Sequence, residues 1–343
     1  MKVIATLGAL HATAPLYNAQ TILEILGFLG VQKVLLADVT AQTWTSGAWR
    51  ELDDPVLFAL EDARINCVGV APDWAWAKAE QNKMLEFLKQ FPQGQQRLAK
   101  FNTAERDLKT ALSVPLDTAT VYGSLLEVVR IHHLQVAEIL EEGPGTAHRL
   151  QRLEKIVAGL EPNIVASLEP EAVVAGLEPE AVVLASLDDV PALLELGLEL
   201  PDLTGFAPSE ASRFRAIIDR AYRLEDNDDL DALVHQLLAL DAPADTVLAR
   251  MALEARFAAS GLYLAVGDWA SARDLLEAVS QGQFERPSYL AGFVLSRLGQ
   301  VRDLMLERDR AKRAYTAALA LVYCPLEARE VAQLGLEQAF RLD

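Results

Sequence analysis

The chain has 343 residues, 51% of them hydrophobic and 23% charged, enough for two domains with packed cores and far from the composition of a disordered chain. Asp and Glu outnumber Lys and Arg by 49 to 31, and the resulting charge of −18 argues against duplex nucleic acid as a main partner, because the molecule repels a polyanion at long range. The two cysteines, Cys67 and Cys324, lie far apart without metal-ligand spacing, so neither a disulfide framework nor a zinc knuckle is supported.

The opening stretch MKVIATLGALHATAP lacks the long apolar region and small-residue cleavage site of a secretory leader. No uncharged apolar run reaches the roughly 18 residues of a membrane span, and a cytoplasmic protein with no membrane partner is the expectation. Val3 to Leu7 is short, β-branched at its start and closed by Gly8, the pattern of a buried strand. A helix is expected next, capped by Thr13 with Pro15 in its first turn, carrying Leu16, Ala19, Leu23, Leu26 and Leu29 on one face and stopped by Gly30. Val34 to Ala37 reads as a second strand. A strand, a helix and a strand at this spacing form a parallel crossover unit, and its two strands are expected to be neighbours.

A helix around Pro55 to Arg64, a third strand at Asn66 to Ala71, helices at Ala77 to Phe91 and Ser124 to Glu142, and a fourth strand at Ala181 to Ala185 continue the pattern. The first part of the chain, residues 1–200, is therefore expected to be an α/β domain with a mainly parallel sheet. His133 falls on the apolar stripe of its helix and reads as an interior histidine. Between Leu160 and Ser186 the sequence runs LEPNIVAS, LEPEAVVAG, LEPEAVVLAS, a short tandem duplication that does not fit a helical solenoid. Leu198 to Pro208, with Pro201, Gly205 and Pro208, marks the expected boundary. From residue 209 to 343 strand patterns vanish and helical periodicity takes over.

In that second part, Tyr263, Gly267, Asp268, Trp269 and Ala272 resemble the turn and second helix of a tetratricopeptide repeat. Leu298, Gly299, Ala311, Tyr315, Ala318 and Leu319 resemble most of another, with Ala272 and Ala311 39 residues apart where the family has 34. The resemblance implies paired helices that cross closely at small residues, an all-α helical-hairpin domain, and a protein or peptide partner bound through the repeats. It places Trp269 and Tyr315 as packing aromatics between helices.

The first part resembles the superfamily that includes TraB, Tiki, ChaN and the erythromycin esterases. Gly8, Ala9, Leu10 and His11 match the Gly-x-x-His that follows its first strand, and Asp38 stands where an acid, usually Glu, follows the second. The stretch ALEDARINCVGVAPD resembles the next block and supplies Asp73. RIHHLQVAEIL resembles the block in which an Arg opens a helix, which gives Arg130. In the last block the second Gly-x-x-His has become Ala185, Ser186, Leu187 and Asp188, so the chain reads as a degenerate or repurposed member.

The topology points to the same residues. Ligands of an open parallel sheet bind beyond the carboxyl ends of its strands, and His11, Asp38, Asp73 and Asp188 each follow such an end. One imidazole with three carboxylates is a donor set for a divalent cation, or a general base for a bound water. The carboxylates would raise one another's pKa unless a cation or Arg130 compensated. Three functions stay open: an interaction or regulatory protein with a degenerate α/β domain; a metal-dependent hydrolase using His11, Asp38, Asp73 and Arg130 in catalysis, with metal held by His11, Asp38, Asp73 and Asp188; and a structural homo-oligomer.

Overall fold

In the computed structural model, which describes residues 1–15, 17–52, 54–71, 83, 86–113, 151–158, 181–224, 228–240, 247–282 and 287–342, the first β-branched stretch forms strand β1 (Lys2–Thr6). The sequence between Gly8 and Thr13 is a 3-10 turn, and helix α1 (Ala19–Phe28) starts later than the pattern suggests. Asn18 caps α1, its side-chain oxygen accepting from Thr21 N–H at 3.1 Å; as a cap residue it outranks Thr13. Gly30 follows the helix with φ +66°, the left-handed conformation that ends it. Strand β2 (Lys33–Leu36), helix α2 (Ala41–Ser46), helix α3 (Pro55–Asp62) and strand β3 (Cys67–Gly69) come next. Asp54 caps α3 ahead of Pro55, the position in which proline's missing N–H is harmless.

Helix α4 (Pro92–Ser113) was not expected from the sequence, although Leu98, Phe101, Ala104 and Leu108 recur there at helical spacing. Helix α5 spans 151–158, with Leu153 and Ile156 buried in the core of the first unit. Strand β4 (Ala181–Ser186) and helix α6 (Val190–Glu195) complete the set. The expected helices at Ala77 to Phe91, described only in part, and Ser124 to Glu142, and most of the LEPEAVV duplication, lie outside the described residues.

Among the described residues the four strands are parallel, in the order β1-β4-β2-β3. The expected adjacency of β1 and β2 is corrected: β4 lies between them, with Val182 opposite Val34 and Val183 opposite Val3. Val182 to Ala185 is buried throughout, and a strand with no polar face is stable only inside a sheet. The outer edge of β1 is covered by the chain after α6, where Val3 N–H donates to Glu199 O at 2.8 Å and Glu199 N–H to Met1 O at 2.9 Å. The Pro/Gly stretch from Leu198 thus begins as an edge pairing, and Phe206 is buried in the same core. This unit runs from Met1 to Ser212, and a second from Arg213 to Asp343.

The second unit is helical. Helix α7 (Glu210–Ala221) leads to α8 (Leu230–Leu238), α9 (Val247–Ala265), α10 (Trp269–Ser280), α11 (Leu290–Leu304), α12 (Arg308–Leu319) and α13 (Leu326–Glu337). From α8 onward each helix packs on the next, while α9 also meets α11 and α11 meets α13, which makes a stack of helical hairpins. The interval between Ala272 and Ala311 recurs in three dimensions. Both are fully buried, as are the pairs Leu276 and Tyr315, and Val279 and Ala318. Gly267 and Leu306, the same interval apart, both turn the chain with positive φ, +80° and +63°.

Leu306 is 91% exposed and gains nothing from burial to offset a conformation that disfavours a side chain by roughly 1–2 kcal/mol. Leu306→Gly is expected to stabilise the helical unit by about 1 kcal/mol, net of the unfolded-state entropy of glycine. A lower urea midpoint in the variant would refute this.

Candidate functional site at the strand ends

Because the strands run parallel, their C-terminal ends share one edge. Thr6 and Ser186 are register partners there, and the Thr6 hydroxyl donates to Ala185 O at 3.2 Å. From β1 the chain passes Leu7 and Gly8, whose φ is +54°, and enters the 3-10 turn that carries His11. This side chain is fully buried. Leu7 N–H, left without a ladder partner as the strand ends, donates to His11 Nε2 at 2.9 Å. On the other side His11 Nδ1 lies 2.7 Å from Tyr17 O. A carbonyl only accepts, so Nδ1 carries the proton and Nε2 does not. The Tyr17 ring stacks on the imidazole at 5.7 Å between centroids, and its hydroxyl donates to Ala5 O at 2.9 Å. Burial drives the His11 pKa down to about 4, against the bond to Tyr17 that favours the charged form.

Asp38 follows β2 at the same edge. Its Oδ2 accepts from Ser186 N–H at 2.6 Å, which ties the end of β2 to the end of β4. Its Oδ1 accepts from Arg152 Nη1 at 3.2 Å, and Arg152, on α5, also pairs with Asp189 in the 3-10 turn after β4. Desolvation at the strand ends and then the Asp189 carboxylate push Asp38 upward, opposed by Arg152 and by Ser186 N–H. Burial works against the Arg152 charge, yet Asp189 and Asp38 together hold that guanidinium above its ordinary value.

Of the residues chosen from sequence, His11 and Asp38 both stand past strand ends, with β4 between their strands, and no contact among the described residues joins them. Asp73 and Arg130 lie outside the described residues. Asp188 is in the turn Leu187–Asp189, and the carboxylate of that turn that meets Arg152 beside Asp38 is Asp189. Sequence reasoning missed Asp189 and Arg152. The demand that an arginine compensate crowded carboxylates was the available signal, and it was attached to Arg130. Among the described residues no group of three or more His, Cys, Asp or Glu side chains is placed to hold a metal ion. The imidazole as placed offers no free lone pair, and Asp38 acts as a clamp between β2, β4 and α5.

The helical unit has its own buried polar cluster. Glu254 of α9 accepts from Arg215 Nη1 at 2.7 Å and from the Tyr289 hydroxyl at 2.6 Å, while Arg215 Nε donates to Asp219 at 2.8 Å. Burial raises Asp219, opposed by Arg215, so each carboxylate here is matched by a donor. Asp303 is satisfied in the same way by Arg308, by the Tyr315 hydroxyl and by Phe340 N–H. Comparison with protein-family models, with curated proteins and with solved structures yields no match.

Proposed function

We propose that the chain is a cytoplasmic interaction or regulatory protein in which a degenerate α/β unit of the TraB and Tiki type serves as a folded support and tetratricopeptide-like hairpins form the binding part. One observation carries this reading: both ring nitrogens of His11, the residue best suited to metal binding or base catalysis, are engaged by backbone groups. The pairing of Asp38 with Arg152 and Ser186 N–H works in the same direction. No helix among the described residues is long and apolar enough to cross a membrane.

The test is thermal melting of the full chain with EDTA and with excess Mg²⁺, Mn²⁺ or Zn²⁺, alongside a general esterase and phosphoesterase screen. A cation bound to the folded state at a hundredfold excess over its Kd adds about 2.7 kcal/mol, a rise in melting temperature that is easily read. The proposal expects a flat response and no turnover. A metal-dependent rise that disappears in Asp38→Asn, accompanied by hydrolysis, would replace it with the metal-dependent hydrolase.

A further inference from the structure

Phe87 and Phe91 are 58% and 48% exposed, although a large aromatic ring is among the side chains that gain most from burial. They lie on the turn that leads into α4, with ring centroids 4.9 Å apart and planes inclined at 57°, so the two rings do not cover one another face to face. The turn is held by specific bonds. Gln90 N–H donates to Phe87 O at 3.0 Å and Gln95 N–H to Phe91 O at 2.9 Å, while the Gln95 side chain reaches back to Lys89 O at 2.9 Å. Gly94 has no room for a side chain, because a Cβ there would strike Leu88 O. This close approach sets the first turn of α4 against the helical residues 86–88.

An open cavity of about 340 Å³ lies here, lined by Phe87, Leu88, Phe91, Gln93, Gly94 and Arg97. Its volume is at the lower end of ligand pockets, and aromatic and apolar walls with a few polar groups suit a small molecule. Charge narrows the class. From Glu86 to Lys100 the chain carries three basic residues, Lys89, Arg97 and Lys100, and one acid; that acid, Glu86, pairs with Lys89 at 2.5 Å. Two positive charges remain locally in a chain of −18, and Arg97 is itself part of the cavity wall. A guanidinium recognises a planar oxyanion through parallel donors, and two inclined phenyl rings favour a flat aromatic body.

We propose that this cavity binds a small planar aromatic anion, with its ring against Phe87 and Phe91 and its charge at Arg97. The proposal goes beyond the reading given above and does not depend on it: the metal and hydrolase assays bear on the strand ends, and the titration below bears on the turn before α4.

The test is calorimetric titration of the full chain with 2-naphthoate, its neutral amide, and cyclohexanecarboxylate, an acid without an aromatic ring. Saturable binding of naphthoate is expected, with the amide and the alicyclic acid each about tenfold weaker or more. Phe91→Ala should weaken naphthoate by about tenfold, and Phe87→Ala gives the same measurement from the other ring should the first variant fail to fold. Arg97→Gln should bring naphthoate down to the affinity of the amide while leaving the amide unchanged, which a general loss of structure would not do. No saturable binding of naphthoate, equal affinities for acid and amide, equal affinities for the aromatic and alicyclic acids, or naphthoate binding unchanged in both Phe91→Ala and Arg97→Gln would overturn the proposal.

Discussion

Replacing Tyr315 with Ala is expected to destabilise the helical unit by about 3–5 kcal/mol. The ring is fully buried and lies between two glycines of different helices. A Cβ on Gly299 of α11 would come within 2.3 Å of Tyr315 Cε1, and one on Gly335 of α13 within 2.4 Å of Cζ. Its hydroxyl donates to the buried Asp303 at 3.0 Å, a bond to a charged acceptor that adds roughly 1.5–3 kcal/mol. Trp269, of which the sequence suggests the same burial, is only partly buried at the start of α10, so Trp269→Ala should shift the denaturant midpoint less. The glycines make the test sharper. Gly299→Ala gains about 1 kcal/mol of helix propensity but overpacks the ring, at about 1–3 kcal/mol, and should destabilise. In the Tyr315→Ala background the obstacle is gone and the same change should be neutral or stabilising. Additive effects of the two substitutions would show that the close approach is not what the glycine is for.

The parts of this fold that were legible in sequence are those set by local chemistry. Apolar runs located the four strands among the described residues, helical patterning located α3, and the loss of strand patterns after residue 209 located the helical part. Strand order was not legible, because β4 reaches the gap between β1 and β2 from far along the chain, and the crossover rule speaks only of handedness and short connections. Leu306 hides the second hairpin turn, since a leucine gives no sign that it will adopt the conformation Gly267 adopts. At the strand ends the edge itself was legible, as were Asp38 and the need for an arginine. Which arginine meets it was not, because Arg152 arrives on a separate helix, and the second carboxylate it pairs with, Asp189, stands in a turn that no spacing specifies. His11 shows the same limit most plainly: a histidine after a strand reads as a ligand, and whether the strand's last N–H takes its lone pair depends on a turn that no spacing specifies.

Burial makes His11 a liability in acid. Its pKa is lowered from 6.5 to about 4 in the folded chain. Above pH 6.5 the imidazole is neutral folded or unfolded, and the full stability is present. As pH falls from 6.5 towards 4 the unfolded chain binds a proton that the folded chain refuses, so stability should decline by about 3 kcal/mol, and below 4 the slope ends. Asp38 and Asp219 act with the opposite sign: their folded pKa values are raised, so protonation on acidification favours the folded state and softens the decline. The difference between wild type and His11→Gln isolates the imidazole, because the amide can accept from Leu7 N–H but does not titrate. The variant should be less stable at pH 7, where the stacked ring is lost, and its urea midpoint should change less between pH 6.5 and 4. Parallel midpoint curves for the two proteins, or a folded-state imidazole titrating near 6.5 by NMR, would mean that His11 is open to solvent and free to act as the ligand its sequence position suggests.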